Sequence, residues 1–175
     1  MKKKLLALCV SLLSLSAFAQ QGQSAVGINI GVAPNLDTNG SVTNFQLGAK
    51  YQYGVTDNIR LEADLDYGFR SNGISVFDLS ANVQYLFNLS DKFVLYPLAG
   101  IGYGSINATE YYIPDPSKPM EVVSVSNTYS RFLFNVGIGA EYPITDNISV
   151  GAEFKFQYMK NFSRLPITVG VTYKF

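Results

Sequence analysis

Ile59, Leu61, Ala63, Leu65, Tyr67 and Phe69 alternate without a break with Arg60, Glu62, Asp64, Asp66, Gly68 and Arg70. A period of two marks a strand whose two faces meet different surroundings, and a slip of one residue would exchange every side chain between them. The same alternation recurs at about 25–32, 44–54, 76–87, 93–104, 129–142, 148–158 and 165–175, which predicts eight strands with 59–70 included. Most run to ten residues or more, longer than the five or six of a typical soluble strand and matched to a tilted strand crossing a bilayer. The last is built the same way, with Leu165, Ile167, Val169, Val171, Tyr173 and Phe175 on one side and Pro166, Thr168, Gly170, Thr172 and Lys174 on the other.

The connections alternate in length. Three short ones share a pattern of an aromatic strand end, a polar turn residue and an aspartate: Tyr53 to Asp57, Phe87 to Asp91 and Tyr142 to Asp146. The others, about 33–43, 71–75, 105–128 and 159–164, vary and include one of two dozen residues. Short turns at one rim and longer loops at the other are the habit of outer-membrane barrels.

Alternation alone does not say which face is buried, and an eight-stranded sandwich would show the same pattern. An even strand number, hairpin-compatible connections and aromatics gathered at strand ends favour a barrel with its apolar side outward. Tyr51, Tyr53, Tyr85, Phe87, Phe93, Tyr142, Tyr173 and Phe175 then form one aromatic girdle, and Tyr67, Phe69, Phe77, Tyr103, Phe132, Phe156 and Tyr158 the other. The expected fold is all-β, an eight-stranded antiparallel up-and-down transmembrane β-barrel, closed because lipid satisfies no free strand edge.

Met1 to Ala19 reads as a secretory signal peptide: Lys2, Lys3 and Lys4, an apolar core, then Ala17-Phe18-Ala19 before Gln20. The two expected segments are therefore the signal peptide at 1–19 and the barrel domain at 20–175. The only cysteine, Cys9, falls inside the signal. Without the three signal lysines, ten basic residues face 13 acidic ones, a mild acidity that argues against nucleic acid.

The polar face carries six residues of each sign: Lys50, Arg60, Arg70, Arg131, Lys155 and Lys174 against Glu62, Asp64, Asp66, Asp78, Glu141 and Glu153. An eight-stranded barrel is just wide enough to be filled by its own side chains, and charges confined there must be paired or hydrated. A lumen filled by paired charges is the first expectation; a narrow porin for small solutes is the alternative, although a selective pore would favour one sign. A periplasmic barrel carrying an apolar ligand would need an apolar lumen instead. The chain has no histidine, which removes the usual general base, and no catalytic residue, cofactor or metal site is expected. Glu62, Asp64 and Asp66 could suggest a metal or acid–base site, but Arg60 and Arg70 bracket them, so ion pairing is the expectation. Asn-x-Ser/Thr motifs at Asn88, Asn107 and Asn161 are short enough to arise by chance.

Between Ser105 and Thr128, Tyr111, Tyr112, Ile113, Pro114 and Lys118 combine aromatics with proline stiffening and are candidate contacts for an extracellular partner. A merely variable loop, or a β-ribbon prolonging the flanking strands, fits the same residues, since Val122, Val123 and Val125 could pair.

Thr168, Gly170, Tyr173 and Phe175, flush with the carboxyl terminus, resemble the C-terminal insertion signal of bacterial outer-membrane barrels. The region from Ala25 to Phe175 as a whole resembles the small eight-stranded barrels of the OmpA-like transmembrane domain and OmpX type. That resemblance implies a monomer in the outer membrane of a Gram-negative cell, surrounded by lipid and inserted by the barrel-assembly machinery after periplasmic chaperones deliver it. No peptidoglycan-binding segment follows Phe175, so a wall-tethering role is not expected. The expected role is non-enzymatic, in envelope integrity or surface interaction.

Overall fold

The computed structural model describes residues 22–37, 42–90, 93–112 and 123–175. The signal peptide expected at 1–19 lies outside them, as do Ile113, Pro114 and Lys118. The strands are β1 (Ser24–Pro34), β2 (Thr43–Gly54), β3 (Ile59–Ser71), β4 (Ile74–Tyr85), β5 (Phe87–Ser90), β6 (Phe93–Tyr112), β7 (Val123–Pro143), β8 (Ile148–Met159) and β9 (Ile167–Lys174). All pairings between them are antiparallel.

Each strand pairs with its neighbour in sequence except β4 and β5, which both pair with β6, and the β1–β9 seam closes the ring. β1 meets β9 from Ala25↔Lys174 to Val32↔Ile167, and β4 meets β6 from Ile74↔Ala108 to Gln84↔Leu98. The result is the predicted eight-stranded closed barrel, with β5 a short continuation of β4 rather than a ninth wall. The break falls at Leu86 because Asn58 captures its backbone: Leu86 N donates to Asn58 O (2.7 Å), and Asn58 Nδ2 donates to Leu86 O (3.0 Å).

Facing follows the period of two. Along β3 exposure alternates residue by residue from Ile59 to Phe69, with Arg60, Glu62, Asp64 and Asp66 buried and Leu61, Leu65, Tyr67 and Phe69 exposed. The exposed side is a belt of aliphatic and aromatic side chains, an inversion of a soluble protein that suits a bilayer. Rings pair along it, as at Tyr67–Phe69 (centroids 5.2 Å apart), Tyr103–Phe132 (5.9 Å) and Tyr85–Phe87 (4.8 Å).

Two of the short turns have one geometry. Val55 N and Thr56 N both donate to Ile59 O, and Ile144 N and Thr145 N both donate to Ile148 O. The threonine then accepts the amide that restarts the strand, Ile59 N on Thr56 Oγ1 and Ile148 N on Thr145 Oγ1, each at 3.0 Å. This is why a threonine recurs there. At the opposite rim β3 and β4 join through Asn72 and Gly73, both at positive φ (47° and 80°), the two-residue hairpin turn that an Asn-Gly pair favours. β4 therefore starts at Ile74, earlier than the alternation alone indicates.

At the long-loop rim one alternative is selected and one boundary is corrected. The stretch from Ser105 to Thr128 takes the β-ribbon alternative: β6 and β7 pair continuously out to Tyr112↔Val123, beyond the barrel wall. The last strand is shorter than 165–175. Its first residues form an irregular wall segment in which Gln157 and Arg164 exchange two backbone bonds (2.9 and 3.0 Å) and Leu165 N donates to Pro34 O (2.9 Å).

Candidate functional site

The lumen is the polar interior the fold creates, and ion pairs run through it from the short-turn rim up to the level of Asp78. Near the short-turn rim, Glu141 is bridged by Arg60 and Lys174, each at 2.8 Å, and Arg60 Nε donates to Gln84 Oε1 (2.6 Å). Further in, Lys50 pairs with Glu153 (2.6 Å) and stands 3.6 Å from Glu62. Lys155 pairs with Asp64 (2.7 Å) and lies 3.3 Å from Glu153. Amides fill the gaps: Gln52 donates to Glu62 (2.7 Å), Asn82 to Asp64 (2.8 Å), and Asn135 to Asn82 (3.0 Å). These groups come from β2, β3, β4, β7, β8 and β9, so the network ties opposite walls of the barrel together.

Tyr96 sits among them. Its hydroxyl donates to Glu153 (2.9 Å), and its ring lies under the Arg60 guanidinium, 5.0 Å from centroid to Cζ. The ring has room because its cross-strand partner is Gly139, where even a methyl group would overlap the ring. Tyr96→Phe keeps the ring and removes the hydrogen bond to a buried carboxylate. The expected cost is about 1.5–3 kcal/mol of unfolding free energy, read by urea titration of the refolded barrel; no loss would mean that Glu153 is satisfied by its lysines alone.

The structure places ten of the twelve charged residues predicted for the lumen inside it. Arg70 and Arg131 are the exceptions. The β3–β4 register is irregular between Gly68 and Ser71, and Arg70 comes out exposed at the rim, donating to Asn107 Oδ1 (3.0 Å). Arg131 lies one inward step beyond Leu133, where the ribbon leaves the barrel, and stacks on Tyr129 (5.7 Å). The cation that sequence reasoning missed is Arg164. It is fully buried, paired with Asp78 and hydrogen-bonded to Gln157 Oε1, which anchors Asp78 in turn through Nε2 (3.1 Å). Its signal was present: continuing the inward positions 172, 170, 168 and 166 of the last strand one step back reaches 164.

Above this ionic column the lumen turns apolar. Val76, Ile106, Leu133, Met159 and Phe162 are buried against one another at the long-loop rim, with Ile74 packed beside them. Phe162 enters from the turn after β8, where Phe162 N donates to Met159 O (3.0 Å) and Asn161 takes a positive φ of 63°. Asp37 accepts the amide of Ser163 and ties this turn to the end of β1.

Outside, Tyr111 and Tyr112 pair through their backbones with Ser124 and Val123 at the far end of the ribbon. β4 covers β6 only as far as Ala108, and β8 covers β7 only from Leu133. Among the described residues, the β8-facing edge of β7 therefore has no partner strand from Val123 to Phe132. At the carboxyl end, Thr168 lies inward and buried and Gly170 half-buried, while Tyr173 and Phe175 face outward with their rings stacked at 6.5 Å. No three Cys, Asp or Glu side chains among the described residues converge as a metal site would need.

The family model described as outer membrane protein beta-barrel domain matches residues 5–175. The outer membrane protein PagN of Salmonella typhimurium is 32% identical over 85 residues, covering 49% of this chain and 35% of PagN, so the match spans about a third of that relative's length. Among solved structures, Neisserial surface protein A superposes with a TM-score of 0.70 at 16% identity, covering 87% of this chain and 97% of that one. Ail, the attachment invasion locus protein of Yersinia pestis, superposes with a TM-score of 0.57 at 16% identity, covering 89% and 100%.

Proposed function

The chain belongs to the outer membrane beta-barrel domain family and resides in the bacterial outer membrane, and we propose that it is a non-enzymatic surface protein whose external ribbon engages a partner while its lumen stays closed to solutes. The observation that carries this is the ribbon: two strands prolonged past the barrel wall, one with an unpaired edge of about ten residues. Unpaired edges are normally shortened, charged or covered, because they template pairing with another chain. An extended polypeptide adding to this edge would gain main-chain bonds, with Tyr129 and Val125 exposed beside it. The carboxylates support a structural part rather than a catalytic one, since they are tied up by cations and amides in the lumen.

A sulfated glycan is a weaker partner. Ail has been solved with the heparin analogue sucrose octasulfate. The long connections of this chain and the strand ends beside them, apart from the buried Arg164, balance Arg70, Lys118, Arg131 and Lys160 with Asp37, Glu110, Asp115 and Glu121. Such an even mixture offers a polyanion no net attraction. The ring closes within a single chain, which supports a monomer; delivery by periplasmic chaperones and insertion by the barrel-assembly machinery, with Thr168, Gly170, Tyr173 and Phe175 as the signal, belong to the same proposal through family membership.

Two measurements test the reading. In a planar bilayer the refolded chain should insert without step conductance; reproducible openings would make it a narrow porin. Vesicles carrying the intact protein should adhere to a cultured-cell layer, and vesicles carrying a chain whose ribbon from Thr109 to Ser126 is replaced by a short turn should not. Equal adhesion of the two would move the function away from the ribbon.

A further inference from the structure

At one level of the barrel the strands β4, β3, β2, β1, β9 and β8 present Asp78, Asp66, Gly48, Asn29, Gly170 and Gly151 side by side. Three of the six have no side chain, so the backbones and neighbouring side chains close in around Asn29 on both flanks. Asp66 and Asn29 lean toward each other over Gly48: a methyl group there would overlap Asp66 Oδ1 and lie 2.7 Å from Asn29 Oδ1 and 2.8 Å from Asn29 Nδ2. Both oxygens are buried acceptors without a hydrogen-bond donor, in residues only 2% and 4% exposed. Gln46 hydrogen-bonds the Asp66 carboxylate, yet its own Oε1 is likewise unmatched.

Charge gives the same answer by an independent route. The lumen holds Glu62, Asp64, Asp66, Asp78, Glu141 and Glu153, and against these six stand Lys50, Arg60, Lys155, Arg164 and Lys174. Five of the carboxylates lie within 4 Å of a cationic nitrogen; Asp66 is the sixth, with Asp78 directly opposite it on β4. A buried carboxylate that faces another and has amide groups but no cationic nitrogen within 4 Å lacks one positive charge, and the unmatched oxygens beside it are ligands for one.

We propose that this level of the lumen binds a monovalent cation of sodium's size, ligated by Asp66 Oδ1 and Asn29 Oδ1 over Gly48. Oxygen donors suit a hard cation, and a single unpaired carboxylate suits one charge rather than two. The ion would be structural, neutralising the carboxylate that the protein's own cations leave over. Lys155 and Arg164 are the nearby cations that could instead serve Asp66 from a distance, and the experiment separates the two cases.

The refolded full-length barrel is unfolded in urea at constant ionic strength, with sodium chloride exchanged stepwise for choline chloride. Once the site is saturated, each tenfold rise in sodium should raise the folded-to-unfolded ratio about tenfold. Asp66→Asn and, separately, Gly48→Ala should abolish that dependence. Crystals of the unaltered protein soaked in thallium(I) should show anomalous density between Asp66 and Asn29, a readout that stands even if a variant fails to fold. A sodium response that persists in Asp66→Asn, an equal response to choline, or no thallium at this position would overturn the proposal and leave Lys155 and Arg164 as the neutralising charges.

Discussion

Replacing Arg164 with methionine is expected to cost the barrel about 3–5 kcal/mol, the range for removing one partner from a buried ion pair. Arg164 is fully buried, bonds Asp78 and Gln157, and stands where Asp66 and Asp78 face each other across neighbouring strands. Without it, two opposed carboxylates are left with Lys155 as the near cation, and that lysine is already bonded to Asp64 at 2.7 Å. Methionine is unbranched and fills much of the same volume, so the loss reports charge more than volume. Urea titration in lipid vesicles measures it. The double change with Asp78→Asn should recover a good part of the loss, because it removes the stranded charge. A loss below about 1 kcal/mol would show that the pair is solvated like a surface salt bridge.

A second substitution tests the surroundings of the wall rather than its interior. Val136 and Val125 are both on β7 and both exposed, at 57% and 41%. Val136 lies between the girdle residues Phe132 and Tyr142, whereas Val125 lies on the ribbon past the last β7–β8 pair. Val136→Arg is expected to cost roughly 2–4 kcal/mol, because the charge must enter hydrocarbon. Val125→Arg should stay within about 0.5 kcal/mol, as for an ordinary surface change. Equal effects at the two sites would place the membrane elsewhere on the barrel. The comparison holds residue type, strand and exposure nearly constant, so that the medium is the variable.

Much of this fold is legible in the order of residues because a barrel wall has only two faces. Ile59 to Phe69 alternate so strictly that each side chain's facing follows from its parity, and the cross-strand partners then follow from hairpin connections. Parity fails where the backbone departs from ideal pairing. The irregularity between Gly68 and Ser71 turns Arg70 out of the lumen, and a periodic pattern has no mark for an extra residue. Arg164 was hidden for the opposite reason: its segment stops pairing as a regular strand, yet its side chain keeps the inward parity of β9. The apolar end of the lumen went unseen because inward positions were equated with polar ones, although Val76, Ile106 and Leu133 all occupy inward places. The meeting of Asp66 and Asn29 over Gly48 is a property of one level across six strands, and no window along the chain samples it.

The seam between β1 and β9 separates two things that the gene joins. Phe175 N donates to Ser24 O at 2.9 Å, so the two ends of the barrel are already neighbours at one rim. A short linker across that gap, with a new opening in the external ribbon, would produce a circular permutant with every wall contact retained and a different order of synthesis. Such a chain should refold in lipid nearly as the parent does. In the cell it would carry Tyr173 and Phe175 in a new sequence context. A permutant that closes in the test tube and stalls in the periplasm would show that these aromatics answer to two separate demands, one from the geometry of the ring and one from the route by which the chain reaches the membrane.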